Sequence, residues 1–244
     1  MNRIKLFFIS ILILMVPGHT SAQQKVPILI YHSIDEFKGH GVKDLYVSPE
    51  NFEQQMLYLR NHGYTLLTFD KWRDLTKVKK PIFITLDDGY KNNLNVYSIF
   101  QKIKTDSFQP TATMFIISDF IGRKNRLSEA DLKMLANSRL ISVQSHSATH
   151  PELIKTTNLR YELEKSKERI QNITGQPVIA LAYPYGLFDE QVIEETKKYY
   201  QFGLTTIPKL FTKKGSKNED YLLPRLYIKY DTTIDEFTKI IGEK

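Results

Sequence analysis

The chain has 244 residues, 41% hydrophobic and 25% charged: enough apolar material for one sizeable core, with no charged block long enough to form a disordered tail. It contains no cysteine, which excludes disulfides and makes a lipid-modified cysteine start unexpected. The formal net charge of +7 predicts association with an anionic cell surface or acidic polymer, whereas the scatter of the lysines argues against nucleic acid and leaves most of them as solvated surface.

Residues 1–22 have the order of a secretory signal peptide. Arg3 and Lys5 supply positive charge, Leu6 to Val16 form an apolar run broken only by Ser10, and Pro17-Gly18 end it. Thr20-Ser21-Ala22 then offer small residues for cleavage. The run is shorter than the about 20 residues of a membrane span. A secreted or cell-surface protein is therefore expected, with an uncleaved anchor as the alternative. Residues 23–244 are expected to form a single monomeric domain.

Strand-like and helix-like segments then alternate. Val26 to Tyr31 predicts a first strand. Ser48-Pro49 read as N-cap and first helical residue, with Phe52, Met56 and Leu59 at helical spacing until Gly63. Tyr64 to Phe69 predicts a strand, and Asp70 the cap of a short helix holding Trp72 and Leu75. Pro81 to Leu86 is the clearest strand, followed by a helix from Val96 to Ile103 and a strand from Thr111 to Ile117. Ser128 caps a helix containing Leu132 and Leu135, and Ile141 to Gln144 is a short strand. A charged amphipathic helix spans Asn158 to Ile173. Beyond it come a strand (Val178 to Ala182), a helix (Asp189 to Tyr200) and a strand (Phe202 to Thr206). The last strand is expected over Leu222 to Ile228 and the last helix over Ile234 to Ile241. This alternation predicts an α/β fold with a mostly parallel sheet and helices outside; a parallel barrel would gather functional residues at the C-terminal ends of its strands.

Three motifs lie at such ends. Thr85-Leu86-Asp87-Asp88-Gly89-Tyr90 sets two adjacent carboxylates after an apolar strand. Neighbours on an extended chain point in different directions, so one can bind a cation while the other stays free as a base. Taken alone, Asp-Asp-Gly is ordinary turn chemistry. Ser145-His146-Ser147-Ala148-Thr149-His150 places two histidines four apart, a spacing that in a helical turn brings both imidazoles to one metal ion. Two histidines and a carboxylate leave positions open for water and substrate, as catalytic sites do. Ala182-Tyr183-Pro184-Tyr185-Gly186 is an aromatic turn at a third strand end. His32, after Ile30-Tyr31, is a lone histidine of the kind that is more often structural, on the rim where the other motifs gather.

Thr-Leu-Asp-Asp-Gly, His-Ser-x-x-His and Tyr-Pro-Tyr-Gly, in that order, resemble the motifs of the polysaccharide deacetylase family (NodB-like, carbohydrate esterase family 4). The resemblance runs from about Val26 to Ile241. It implies a distorted (β/α) barrel with fewer strands than the eightfold form. It also implies Asp87 as general base, and Asp88, His146 and His150 as ligands of a divalent metal, usually zinc. Two positions depart from the common pattern: Ala182 stands where many members carry an arginine, and no histidine follows His150. The biofilm-type poly-N-acetylglucosamine deacetylases are similar to this chain on both points. That similarity implies His32 as general acid and Arg225, in Leu223-Pro224-Arg225, as the replacement for the missing arginine.

The implied reaction is hydrolysis of N-acetyl groups on an acetylated polysaccharide, poly-β-1,6-N-acetylglucosamine, with the backbone N–H of Tyr185 at the developing oxyanion. A peptidoglycan or chitin-type deacetylase is one alternative. A carbohydrate-binding protein of weak activity is another, disfavoured by metal ligands that passive binding would not need.

Overall fold

The computed structural model describes residues 24–243, so the expected signal peptide lies outside the described residues. The strands are β1 (Ile28–Tyr31), β2 (Ser33–Ile34), β3 (Tyr46–Val47), β4 (Thr65–Leu67), β5 (Pro81–Leu86), β6 (Ala112–Ile116), β7 (Ile141–Ser145), β8 (Ala180–Ala182), β9 (Phe202–Leu204) and β10 (Leu226–Tyr227). Between them run α1 (Pro49–Asn61), α2 (Leu94–Ile103), α3 (Glu129–Asn137), α4 (Ser166–Thr174), α5 (Glu190–Tyr199) and α6 (Ile234–Ile240).

Eight strands form one parallel sheet: seven follow one another around the curl in the order β10-β1-β5-β6-β7-β8-β9, fewer than in the eightfold barrel, and β4 lies off this path, paired only to β5. The sheet curls until β9 meets the segment entering β10: Leu204 bridges Leu223 in parallel, and the Thr205 and Leu223 amides donate to Leu223 and Gly203 carbonyls at 2.8 and 3.0 Å. The result is the expected distorted (β/α) barrel. No helix among the described residues is long and apolar enough to cross a membrane.

Side chains alternate across a strand, and here each face has its own core. Leu29, Tyr31, Ile84, Leu86, Met114, Ile116 and Val143 pack outward against Phe52, Met56, Phe100, Leu132, Leu135, Leu163 and Ile170. Ile28, Phe83, Phe115, Ala182, Phe202 and Leu204 fill the inside of the curl with Phe69. The same alternation, continued past the strand ends, decides which motif residues face inward. Phe83, Thr85 and Asp87 share one face of β5, and Asp87 N–H still donates to the Tyr31 carbonyl at 3.0 Å.

Most elements lie where local signals put them. Ser48 accepts from the Asn51 amide beside Pro49, and Ser128 closes a capping box with Asp131. Three details differ. Asp70 does not cap the short helix Phe69–Asp74; Thr68 holds the N-cap position and donates its hydroxyl to Asp70 at 2.5 Å. The helix begun at Asn158 has a π-helical turn, Tyr161–Lys165, before α4. The last strand shrinks to Leu226–Tyr227, because Pro224 has no N–H and the Arg225 amide donates to Ile207.

Candidate metal centre and active site

The C-terminal ends of β1, β5, β7 and β8 meet at one end of the barrel and bring His32, Asp87, Asp88, His146, His150 and Tyr185 there, while Arg225 reaches Asp87 from just before β10. Asp87 continues the inward face of β5 and is 2% exposed. Asp88 then turns the chain with φ 72°, followed by Gly89 at φ 65°. A Cβ on Gly89 would lie 3.0 Å from Ile116 Cδ1, so glycine suits both the backbone angle and the close approach of β6. The turn separates the two carboxylates.

His146 continues the inward face of β7, with its amide donating to the Ile116 carbonyl at 2.8 Å. His150 joins it, but not through a helical turn. Ser147 and His150 have φ 65° and 63°, so the histidines converge around a left-handed loop instead of stacking on one helix face. His146 Nε2 and His150 Nε2 are 3.2 Å apart, and Asp88 Oδ1 lies 3.6 and 3.7 Å from them. Ligands about 2.0–2.2 Å from a tetrahedral ion are separated by roughly 3.4 Å. The triangle therefore fits a small divalent ion, with one position left for water or substrate. The His146 Nδ1 lies 2.8 Å from the Ala182 carbonyl, a bond that places the proton on Nδ1 and turns the Nε2 lone pair into the site. Burial, then the neighbouring His146, push His150 down to about 4, which keeps it neutral and able to ligate near pH 7.

Arg225, 1% exposed, enters from just before β10 and meets Asp87 in a fork: Nη1 to Oδ1 at 2.7 Å and Nη2 to Oδ2 at 2.8 Å. Its Nε donates to the Thr205 carbonyl at 3.0 Å and Nη1 to the Thr85 hydroxyl at 3.1 Å. Burial acts to raise the Asp87 carboxyl, but Arg225, His146 and His32 outweigh it and hold the group well below the usual carboxylate range. Asp87 stays ionised, with Oδ2 3.8 Å from His146 Nε2. Ala182 is packed into the inner core and carries no charge, and Arg225 brings a guanidinium to Asp87 from 138 residues further along the chain.

His32 lies at the end of β1, beside β10, close enough for the charges of Asp87, Asp88, Arg225 and His146 to act on it. Burial, the largest influence, pushes its imidazole down. Its Nδ1 is 3.2 Å from the Tyr227 hydroxyl. The sequence motifs pass over Tyr227; its spacing of two from Arg225 on a predicted strand is the signal that would have put both on one face. Tyr185, at φ 58° and 62% exposed, rests its ring edge-on against His150 with centroids 4.6 Å apart.

The family profile described as polysaccharide deacetylase matches residues 74–204, more than half of the chain; His32 and Arg225 fall outside that stretch. YxkH of Bacillus subtilis (strain 168), named as a polysaccharide deacetylase, is 34% identical over 198 residues, covering 78% of this chain and 67% of that protein. A Staphylococcus aureus (strain MRSA252) poly-beta-1,6-N-acetyl-D-glucosamine N-deacetylase is 26% identical over 211 residues, covering 78% and 70%. Among solved structures, the polysaccharide deacetylase BA0330 of Bacillus anthracis superposes with TM-score 0.89 at 50% identity, over 90% of this chain and 70% of that one. This chain belongs to the polysaccharide deacetylase family, a family of N-deacetylases.

Proposed function

We propose that the protein is an exported, zinc-dependent deacetylase that removes N-acetyl groups from poly-β-1,6-N-acetylglucosamine and releases acetate. The observation that carries this is the buried fork between Arg225 and Asp87. In a chain with Ala182 in the third motif, it supplies a guanidinium partner for the base. His32 on the same rim and the resemblance to the S. aureus N-deacetylase point to the same substrate.

Asp88, His146 and His150 would hold the ion, which when bound would polarise the amide carbonyl and make a water acidic enough to lose a proton near neutral pH. Asp87, kept ionised and oriented by Arg225, accepts that proton as the water oxygen attacks the carbonyl carbon. The Tyr185 backbone N–H stabilises the developing oxyanion. His32 protonates the sugar nitrogen as the C–N bond breaks, leaving acetate and a free amine. Residues 1–22 direct export and are removed, and the monomeric domain from residue 23 works at an anionic cell surface to which its net charge of +5, the whole chain's +7 less Arg3 and Lys5, draws it.

Acetate release by the zinc-loaded protein tests this on poly-β-1,6-N-acetylglucosamine, chitooligosaccharides and peptidoglycan. The β-1,6 polymer is expected to be deacetylated fastest. Faster release from either of the others overturns the substrate, and release from none overturns the chemistry.

A further inference from the structure

The loop carrying His146 and His150 follows a course that its own residues do not favour. Ser147 and His150 both sit at positive φ, and neither is glycine. Such angles are strained for a non-glycine residue and persist only where the surroundings over-determine them. The surroundings here are specific. Glu162 is 5% exposed, and its carboxylate accepts the Ala148 amide at 3.0 Å, the Thr149 amide at 2.8 Å and the Thr149 hydroxyl at 2.7 Å. Four residues later, the Ser166 hydroxyl donates to the Ser147 carbonyl at 3.0 Å. Glu162 lies inside the π-helical turn Tyr161–Lys165 and Ser166 follows it directly, an irregularity of a kind that recurs at functional sites. On the opposite side, the Ser118 and Asp119 amides donate to the Ser147 and Ala148 carbonyls at 3.1 and 2.9 Å.

Three donors converge on Glu162, and all three belong to the two residues between Ser147 and His150. Glu162 is not one of the carboxylates that gather with the histidines. Without it, the buried Ala148 amide and the part-buried Thr149 amide lose their acceptor, and the left-handed turn at His150 loses the contacts that hold it.

We infer that Glu162 is a positioning residue of the metal centre: it fixes the left-handed loop and so aims His150 at the point shared by His146 and Asp88. This rests on the metal site proposed above. A carboxylate that only stabilised the fold would affect melting without affecting how tightly a folded protein holds an ion.

Zinc affinity measured by competition with a chromophoric chelator separates the two, alongside thermal unfolding of each metal-free protein. Glu162→Ala should bind zinc about 10–100-fold more weakly, the usual consequence of losing a group that orients a ligand. Glu162→Gln should bind within a few-fold of wild type, since its amide oxygen still accepts both backbone N–H groups and its nitrogen can donate to Thr149. Should Glu162→Ala not fold, Glu162→Asp, one methylene shorter, takes its place with the same direction of change. Wild-type protein that takes up no zinc contradicts the metal site itself. Wild-type uptake with Glu162→Ala (or its Asp substitute) binding as tightly, or with Glu162→Gln as weak as Glu162→Ala, overturns the clamp.

Discussion

Asp87 is held by opposed forces: burial disfavours its charge, while Arg225, His146 and His32 favour it strongly enough to win. A buried carboxylate fixed in one ionisation state and one orientation suits a base that must be ready before substrate arrives. His32 shows the complementary case, since burial lowers its pKa and makes the imidazolium a readier proton donor. If it protonates the leaving amine, His32→Ala should cut turnover by about 10²–10⁴-fold. Metal content and melting temperature should stay unchanged, and the basic limb of the pH–rate profile should vanish. Wild-type turnover with an unaltered basic limb would remove His32 from the reaction. The aspartates and histidines are legible in the sequence because each motif is contiguous. Arg225 is legible only through resemblance, because its partner lies 138 residues away. Glu162 leaves no mark at all: its partners are two backbone amides and the Thr149 hydroxyl, in a loop whose course depends on two left-handed residues.

The strands and helices that stand on local chemistry were readable at the level of single caps and runs. Ser48-Pro49, Ser128 and the apolar stretch Pro81–Leu86 each mark their element without help from the rest of the chain. The last strand was readable in place but not in length, because its pairing depends on β1 and on where β9 closes the curl. The turn after β8 depends on packing that sequence hides as well. Gly186 has φ 69°, and a Cβ there would fall 2.0 Å from Thr206 Oγ1. Gly186→Ala should therefore destabilise the protein by about 1–3 kcal/mol, which for a domain of this size is a fall of about 2–4 °C in Tm per kcal/mol. It should also raise KM, because Tyr185 precedes the disturbed residue. An unshifted Tm would mean that the turn yields freely.

The end of the chain is tied back to the barrel. The Glu243 carboxylate accepts from the Tyr58 and Tyr64 hydroxyls and from Lys80 Nζ, the last two at 2.9 and 2.7 Å, joining the residues after α6 to α1 and to the starts of β4 and β5. Burial acts to raise this carboxyl, but the three donors outweigh it and bring it from an ordinary 4.5 down to about 2. A folded-state value below the unfolded one means stability that is present above the ordinary value and lost as pH falls toward the folded one. Glu243→Gln should thus lower Tm at pH 7, with the gap to wild type closing between about pH 4.5 and 2. A gap that does not change with pH would show that the charge of Glu243 contributes nothing.

The proposed reaction depends on a division of labour between two adjacent carboxylates, Asp88 to hold the ion and Asp87 to move a proton. Elemental analysis of purified Asp87→Asn and Asp88→Asn, read beside acetate release, addresses it directly. Asp87→Asn should keep its full metal content and lose most turnover, because Asp87 faces Arg225 and not the ion. Asp88→Asn should lose the metal itself, since a three-ligand site has no spare ligand. Equal metal loss in both variants, or full metal and activity in Asp88→Asn, would contradict the account.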